Sequence, residues 1–158
     1  MFREPLYVIC HNIRSLWNVG SIFRTSDAAD VRKVYLGGYT GHPPRDRITK
    51  TALGADAWIP WEGHRHTWRF IEGLKADGVE IVALENNVAR PSESIDAFQP
   101  RFPMALVLGN EVRGLSRRML KRADRVVHIP MHGQKESLNV AVAYGIAVYA
   151  LNRQRPRS

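Results

Sequence analysis

A chain of 158 residues is long enough to bury one ordinary core and too short for two comfortable ones, so a single domain over residues 1–158 is expected. With 44% hydrophobic and 24% charged residues it belongs with neither disordered nor fibrous proteins. Its 23 Lys and Arg against 15 Asp and Glu, a formal +8, fit an anionic partner and a merely soluble basic surface about equally, and the motifs must decide between them.

The N-terminus, MFREPLYVIC, sets charges before a very short apolar run and carries no cleavage-like segment, so no signal peptide is expected. A first strand is predicted at Leu6 to Cys10. Cys10 is the only cysteine, which excludes an internal disulfide and fits a reducing cytoplasm. The next segment, NVGSIFRTSDAADV, reads as a helix from Asn18 to Asp30 with Val19, Ile22 and Phe23 on its core face. At about 100° per residue Arg24 lies roughly 140° from Val19 and faces out of the core. An Arg24 to Asp27 pair at i, i+3 is the simplest use for it. Gly20 argues for something more, because glycine inside a helix costs about 1 kcal/mol relative to alanine; the expectation is that something needs the space beside Arg24.

Strands are then predicted at Lys33 to Leu36, Ala57 to Ile59, Glu80 to Leu84, Ala105 to Leu108 and Arg125 to Ile129. Helices are predicted at Arg47 to Leu53, Thr67 to Asp77, Ser116 to Arg122 and Leu138 to Asn152. Short apolar runs alternating with helical segments predict an α/β domain with a mostly parallel sheet flanked by helices. His64 and His66 in GHRHTW lack a further ligand at metal spacing and are read as loop histidines, so no metal site is expected. The loops ENNVARPSES, GNEVRG and HGQKES are rich in turn formers. Ligands in such folds sit outside the carboxyl ends of strands, which singles out the last two of these loops.

In ALVLGNEVRGLS a strand runs into Gly109, where a ligand could approach the backbone, and Ser116 is a candidate N-cap. In VVHIPMHGQKESLNVAVAYG, Ser137 opens the last helix, either as a ligand contact or as an N-cap. Asn139 follows one residue inside that helix as an amide that needs partners if buried. The helix itself leaves almost no polar face, so it is covered either within its own domain or by a second subunit, the reading favoured here. Its apolar run, LNVAVAYGIAVYAL, is shorter than the roughly 20 residues that cross a bilayer. The usual nucleotide and hydrolase signatures, G-x-G-x-x-G after a strand, the Walker motif, G-x-S-x-G and H-E-x-x-H, are missing from the sequence.

Three segments in order, NIRSLWNVGSIFRTSDAADV, LVLGNEVRGLS and IPMHGQKESLNVAVAYGIAVY, resemble the three motifs of SpoU/TrmH-type RNA ribose methyltransferases of the SPOUT superfamily. The resemblance spans nearly the whole chain. It implies an α/β knot whose C-terminal part threads through a loop as a trefoil, a homodimer with active sites near the subunit interface, and S-adenosylmethionine as cofactor. It also implies that RNA is the substrate, with tRNA favoured over rRNA and no N-terminal RNA-binding extension to help recognise it. By motif position it implies cofactor contacts at Leu84, Glu85, Leu108, Gly109, Asn110, Glu111, Ile129, Met131, Ser137 and Leu138. Asn18, Arg24, Glu111, Ser137 and Asn139 are the implied catalytic set.

The family pattern makes Arg24 the activator of the ribose 2′-hydroxyl. Guanidinium is a poor base at neutral pH, since its pKa exceeds about 12. The narrower expectation is that Arg24 binds substrate phosphate and stabilises charge developing on the 2′-oxygen. Arg14, Arg24, Arg47, Lys50, Arg113 and Arg117 are the expected RNA contacts. The rivals are a non-catalytic RNA-binding dimer with the same fold and a base methyltransferase.

Overall fold

The computed structural model describes residues 3–86 and 88–157; residue 87, within the predicted ENNVARPSES loop, and the extreme termini lie outside them. Seven strands form one sheet: β1 (Leu6–His11), β2 (Lys33–Gly37), β3 (Trp61–His64), β4 (Glu80–Leu84), β5 (Glu93–Ser94), β6 (Met104–Leu108) and β7 (Arg125–His128). Their order is β3-β2-β1-β6-β4-β7-β5, and every pairing is parallel. All five residues of β6 are buried, as a central strand covered on both faces requires.

The six helices are α1 (Leu16–Ala28), α2 (Asp46–Ala52), α3 (Ala55–Trp58), α4 (Thr67–Ala76), α5 (Arg117–Leu120) and α6 (Val140–Asn152). Because side chains alternate along a strand, the core divides into two layers. Leu6, Val8 and Cys10 of β1 and Leu106 and Leu108 of β6 share one cluster with α1, α2, α3 and α6. Ile9, Ala105 and Val107 point the other way and share a second cluster with α4 and α5. Cys10 is fully buried in the first layer; burial, with the Glu111 charge adding, pushes its thiol up to about 12.

The first layer turns on α1. Gly20 is buried because α2 lies against it: a Cβ there would collide with the Thr51 hydroxyl and the Ile48 carbonyl. The glycine therefore serves the packing of α2 against α1. Thr51 donates from that contact to the Trp17 carbonyl at 2.9 Å. On the other flank α6 packs on α1, with the Ser26 and Tyr144 hydroxyls 2.7 Å apart in the interior. Asn152 Nδ2 donates to the Ala29 carbonyl at 3.0 Å. The nearly buried Arg155 guanidinium closes the C-terminal end on the Asp30 carbonyl at 2.7 Å.

Several predicted elements are corrected. Ala57 to Ile59 is not a strand: Gly54, at φ 95°, starts the helical turn α3, and the strand is Trp61–His64. That edge strand reads WEGH and is only partly buried, so it has no apolar run to reveal it. His64 is thus a strand residue, paired with Gly37, and not a loop histidine. The two-residue β5 reads ES and is equally silent. Helix α6 begins two residues later than predicted, at Val140, and Ser137 is not its cap.

Candidate active site

The carboxyl ends of β6, β4 and β7 open on a cavity of about 260 Å³, where a parallel sheet places ligands. Leu84, Leu108 and Ile129 form its floor, and Leu138, Val140 and Ala143 bring the start of α6 over it. The polar wall comes from Glu85, Asn86 and the turn from Gly109 to Gly114. Of the expected cofactor contacts, Leu84, Glu85, Leu108, Gly109, Asn110, Glu111, Ile129, Ser137 and Leu138 line this cavity. Met131 does not, because the chain turns away after Ile129 and only returns at Ser137.

The turn is shaped by its own contacts. A Cβ on Gly109 would press on the Gly114 carbonyl carbon at 2.7 Å and the Leu115 nitrogen at 2.8 Å, so the closure of the turn itself requires a glycine here. Asn110 Oδ1 accepts from the backbone N–H of Val112 at 2.9 Å and of Arg113 at 2.8 Å. Asn110 Nδ2 donates to the Asn12 carbonyl at 3.0 Å and the Tyr39 hydroxyl at 2.9 Å. Below the turn, Glu85 accepts from the Leu115 N–H at 3.2 Å; burial nonetheless holds its carboxyl above the usual range. The Asn86 side chain both donates to the Ile129 carbonyl at 2.9 Å and accepts from its N–H at 3.1 Å. That pair of bonds ties the loops after β4 and β7 together.

Glu111 is the hub. Its carboxylate accepts from the backbone N–H of Arg14 and of Ser15, each at 3.0 Å, and from Asn18 Nδ2 at 3.2 Å. Burial pushes its pKa up, but the Ser15, Arg14 and own-backbone N–H groups and the Asn18 amide outweigh it and leave the carboxyl below its ordinary value. Asn18 Oδ1 in turn accepts from Asn139 Nδ2 at 3.3 Å. Asn139 is exposed rather than buried, and it, not Ser137, caps α6: its Oδ1 accepts from the N–H of Ala141 at 2.9 Å and of Val142 at 3.3 Å. A continuous chain of hydrogen bonds, Glu111 to Asn18 to Asn139, thereby joins all three sequence motifs at the cavity mouth.

Arg24 stands apart from this cluster. It is exposed as predicted, yet it does not line the cavity of its own chain. Asp27 is not its partner, since Asp27 accepts from Trp58 Nε1 at 2.8 Å. One turn on from Arg24, the Ala28 carbonyl receives the Tyr149 hydroxyl of α6 at 3.4 Å. Arg24 therefore borders the outer face of α6, where Leu138, Val142, Ile146 and Tyr149 remain 38–52% exposed.

The expected RNA arginines separate. Arg113 lines the cavity, while Arg14 and Arg47 line a neighbouring recess of about 490 Å³. Lys50 lies outside both, on the exposed side of α2. Arg117 opens α5 on the opposite face of the sheet, because Leu115 and Met119 around it pack into the second core layer. Arg125, in the same basic run, is committed to Glu80 and Glu93, each at 3.1 Å. Sequence reasoning missed Asn86, Tyr39, Trp17 and Arg45, which sit in loops or at a helix start without periodicity. No group of three or more His, Cys, Asp or Glu side chains is arranged to hold a metal among the described residues. Nor is any helix among them long and apolar enough to cross a membrane.

Comparison with known proteins places these features in context. The profile of the SpoU rRNA Methylase family matches residues 5–149. A curated relative, the 23S rRNA (guanosine(2553)-2′-O)-methyltransferase of Bacillus subtilis, is 36% identical over 136 residues. That match takes in 85% of this chain but spans only 52% of the relative's length. The AdoMet-bound rRNA methyltransferase of Sinorhizobium meliloti superposes with a TM-score of 0.88 at 30% identity, over 96% of this chain and 57% of that one. A solved structure described as concerning 2-OH methylation of C/U34 on tRNA superposes with a TM-score of 0.84 at 26% identity, covering 96% of both chains.

Proposed function

Since the chain belongs to the SpoU rRNA methylase family, we propose that it transfers a methyl group from S-adenosylmethionine to a ribose 2′-hydroxyl of RNA, with tRNA as the substrate. The observation that carries this reading is the hydrogen-bond chain from Glu111 through Asn18 to Asn139, which assembles the three motifs beside the cavity. The superposition over 96% of both chains on a structure concerned with tRNA supports tRNA; the 36% identity to an rRNA enzyme is the observation favouring rRNA as the second reading.

The cavity suits the cofactor chemically. Its apolar floor of Leu84, Leu108 and Ile129 offers a surface for an adenine ring, and its polar turns offer backbone groups to a ribose and an amino-acid tail. Bound there, S-adenosylmethionine would supply an electrophilic methyl group on sulfur. The chain's own residues then orient the acceptor. Glu111 fixes the backbone at Arg14 and Ser15 and the Asn18 amide, and Asn18 fixes Asn139 at the start of α6. Ser137, exposed at the rim, offers its hydroxyl to the ribose. Arg24 binds phosphate and stabilises the negative charge developing on the 2′-oxygen, whose proton leaves to water.

Arg24 reaches this work through a homodimer. The half-exposed stripe of Val142, Ile146 and Tyr149 begins at the cavity, where Leu138 lines the wall, and ends beside Ala28 and Arg24. A twofold interface over that stripe buries it and brings Arg24 to an assembled site. The C-terminal knot implied by the family is part of the same reading, supported by Asn86, which holds the Ile129 backbone and reaches the Glu136 carbonyl at 3.4 Å and so keeps the loops after β4 and β7 side by side.

Incubating the protein with RNA and labelled S-adenosylmethionine, followed by nuclease digestion and mass spectrometry, tests the proposal. Ribose-labelled tRNA is expected; label on a base, or none on any RNA, would refute it. Arg24→Lys should lower methyl transfer by about 100-fold, the scale on which losing one charge-stabilising donor acts, while calorimetric cofactor binding stays at the parental level.

A further inference from the structure

Beside the cofactor cavity lies the second recess, and Glu111 and Val112 form a wall common to both. On its other sides stand Arg14 and Trp17, just before and within the first turn of α1, Tyr39 and Arg45 of the loop after β2, and Arg47 in the first turn of α2. We infer that this recess is a subsite for one unpaired RNA base, held against the rings of Trp17 and Tyr39, with the flanking phosphates on Arg14, Arg45 and Arg47.

The two rings are exposed for their size: Trp17 is 45% and Tyr39 62% accessible. The Tyr39 ring and the Trp17 backbone are nonetheless held in place. Tyr39 is fixed at both ends, its N–H donating to Asn12 Oδ1 at 3.1 Å and its hydroxyl receiving Asn110 Nδ2 at 2.9 Å. Asn12 adopts φ 55° to make its bond, a conformation that asparagine tolerates better than most residues. The backbone of Trp17 is pinned to α2 by Thr51 at 2.9 Å. Rigid, water-facing aromatic surface at a concave site gains by stacking on another flat ring.

The charges select which ring. Among the described residues the Arg14, Arg45 and Arg47 guanidiniums have no carboxylate within 4.0 Å, whereas Arg122 and Arg155 each pair with one and Arg125 with two. The one carboxylate in the recess wall, Glu111, is already engaged by three donors. Unpaired cations around π surfaces fit a chain of aromatic bases joined by phosphates. A base inside a duplex has its faces covered, so the occupant is unpaired. This inference rests on the methyl-transfer reading above, because the common Glu111 and Val112 wall sets the ribose of a base bound here at the cofactor cavity.

An eight-nucleotide single-stranded RNA carrying one 2-aminopurine among uridines reads the contact directly, because stacking on a protein ring quenches its fluorescence. The parent is expected to quench it. Trp17→Ala and Tyr39→Ala should bind it about tenfold more weakly, the scale of losing one stacked base, while Trp17→Phe and Tyr39→Phe, which keep a ring, stay near the parent. Arg45→Ala with Arg47→Ala should flatten the dependence of binding on salt. Thermal melting of each variant identifies any that fail to fold. Quenching and affinity unchanged in both alanine variants would overturn the subsite. So would tRNA methylation by Trp17→Ala at the parental kcat/KM, an outcome that leaves the methyl-transfer reading standing. Trp17-dependent quenching without ribose label on any RNA would do the reverse.

Discussion

Replacing Glu111 with glutamine exposes what its carboxylate contributes. Oε1 accepts from Ser15 N–H and Asn18 Nδ2, and Oε2 accepts from Arg14 N–H. Glutamine can keep its oxygen toward the first two donors, but its amide nitrogen then faces the Arg14 N–H, donor against donor. Hydrogen bonds to a charged group are worth about 1.5–3 kcal/mol when buried and roughly half that between neutral groups. The site is half-buried and water can reach the Arg14 N–H, so screening cuts the loss to about 1–2 kcal/mol. For a chain of this length that lowers Tm by about 3–6 °C. The carboxyl sits below its ordinary value in the fold, so its contribution is fully present above the unfolded value near about 4.3 and is lost as pH falls through the folded one. Urea unfolding of parent and Glu111→Gln at pH 7, 5, 4 and 3 checks this. The gap between them should be widest at pH 7 and close with acid. No gap at pH 7, or one that stays constant to pH 3, would refute the role assigned to the charge.

Three other outcomes follow from the packing of α1 and α6. Gly20→Ala adds helix propensity worth about 1 kcal/mol but drives a methyl into the backbone of α2, and overpacking of that kind costs about 1–3 kcal/mol. The clash should win by about 1 kcal/mol; an alanine variant as stable as the parent in urea would mean that α2 shifts freely. Tyr144→Phe strands the buried Ser26 hydroxyl and should cost about 1–2 kcal/mol, with Ser26→Ala added to it recovering part of the loss. A double variant no more stable than Tyr144→Phe alone would argue against the pairing. Ile146→Glu should turn the proposed dimer into a monomer in sedimentation at micromolar concentration, and a parent that already sediments as a monomer would remove the interface.

How far the sequence revealed the molecule depended on what each segment had to bury. β6 and α6 were plain because MALVL and VAVAYGIAVYALN each carry one dominant apolar pattern. β3 and β5 escaped because WEGH and ES lie at sheet edges, where pairing needs backbone groups and little else. Motif order singled out Asn18, Glu111 and Asn139, and the fold joins these three in one hydrogen-bond chain that the sequence did not reveal. What was illegible was the purpose of single residues. Gly20 serves α2 and Gly109 serves its own turn. Asn139 caps a helix instead of hiding in one. Local spacing cannot anticipate such uses, because each is set by how the folded backbone runs, across to α2 for Gly20 and within the turn or helix end for Gly109 and Asn139.

Glu111 grips the loop by its main chain, taking the N–H groups of residues 14 and 15 and nothing from their side chains. The course of that loop is consequently indifferent to which amino acids occupy those two positions. Arg14 can be exchanged and the scaffold around the reacting atoms persists, so the two jobs are written in separate alphabets, one of backbone amides and one of side chains. Under the proposed function, a fold arranged this way can acquire new RNA targets by drift at Arg14, Trp17, Tyr39, Arg45 and Arg47 while its chemistry stays under independent control.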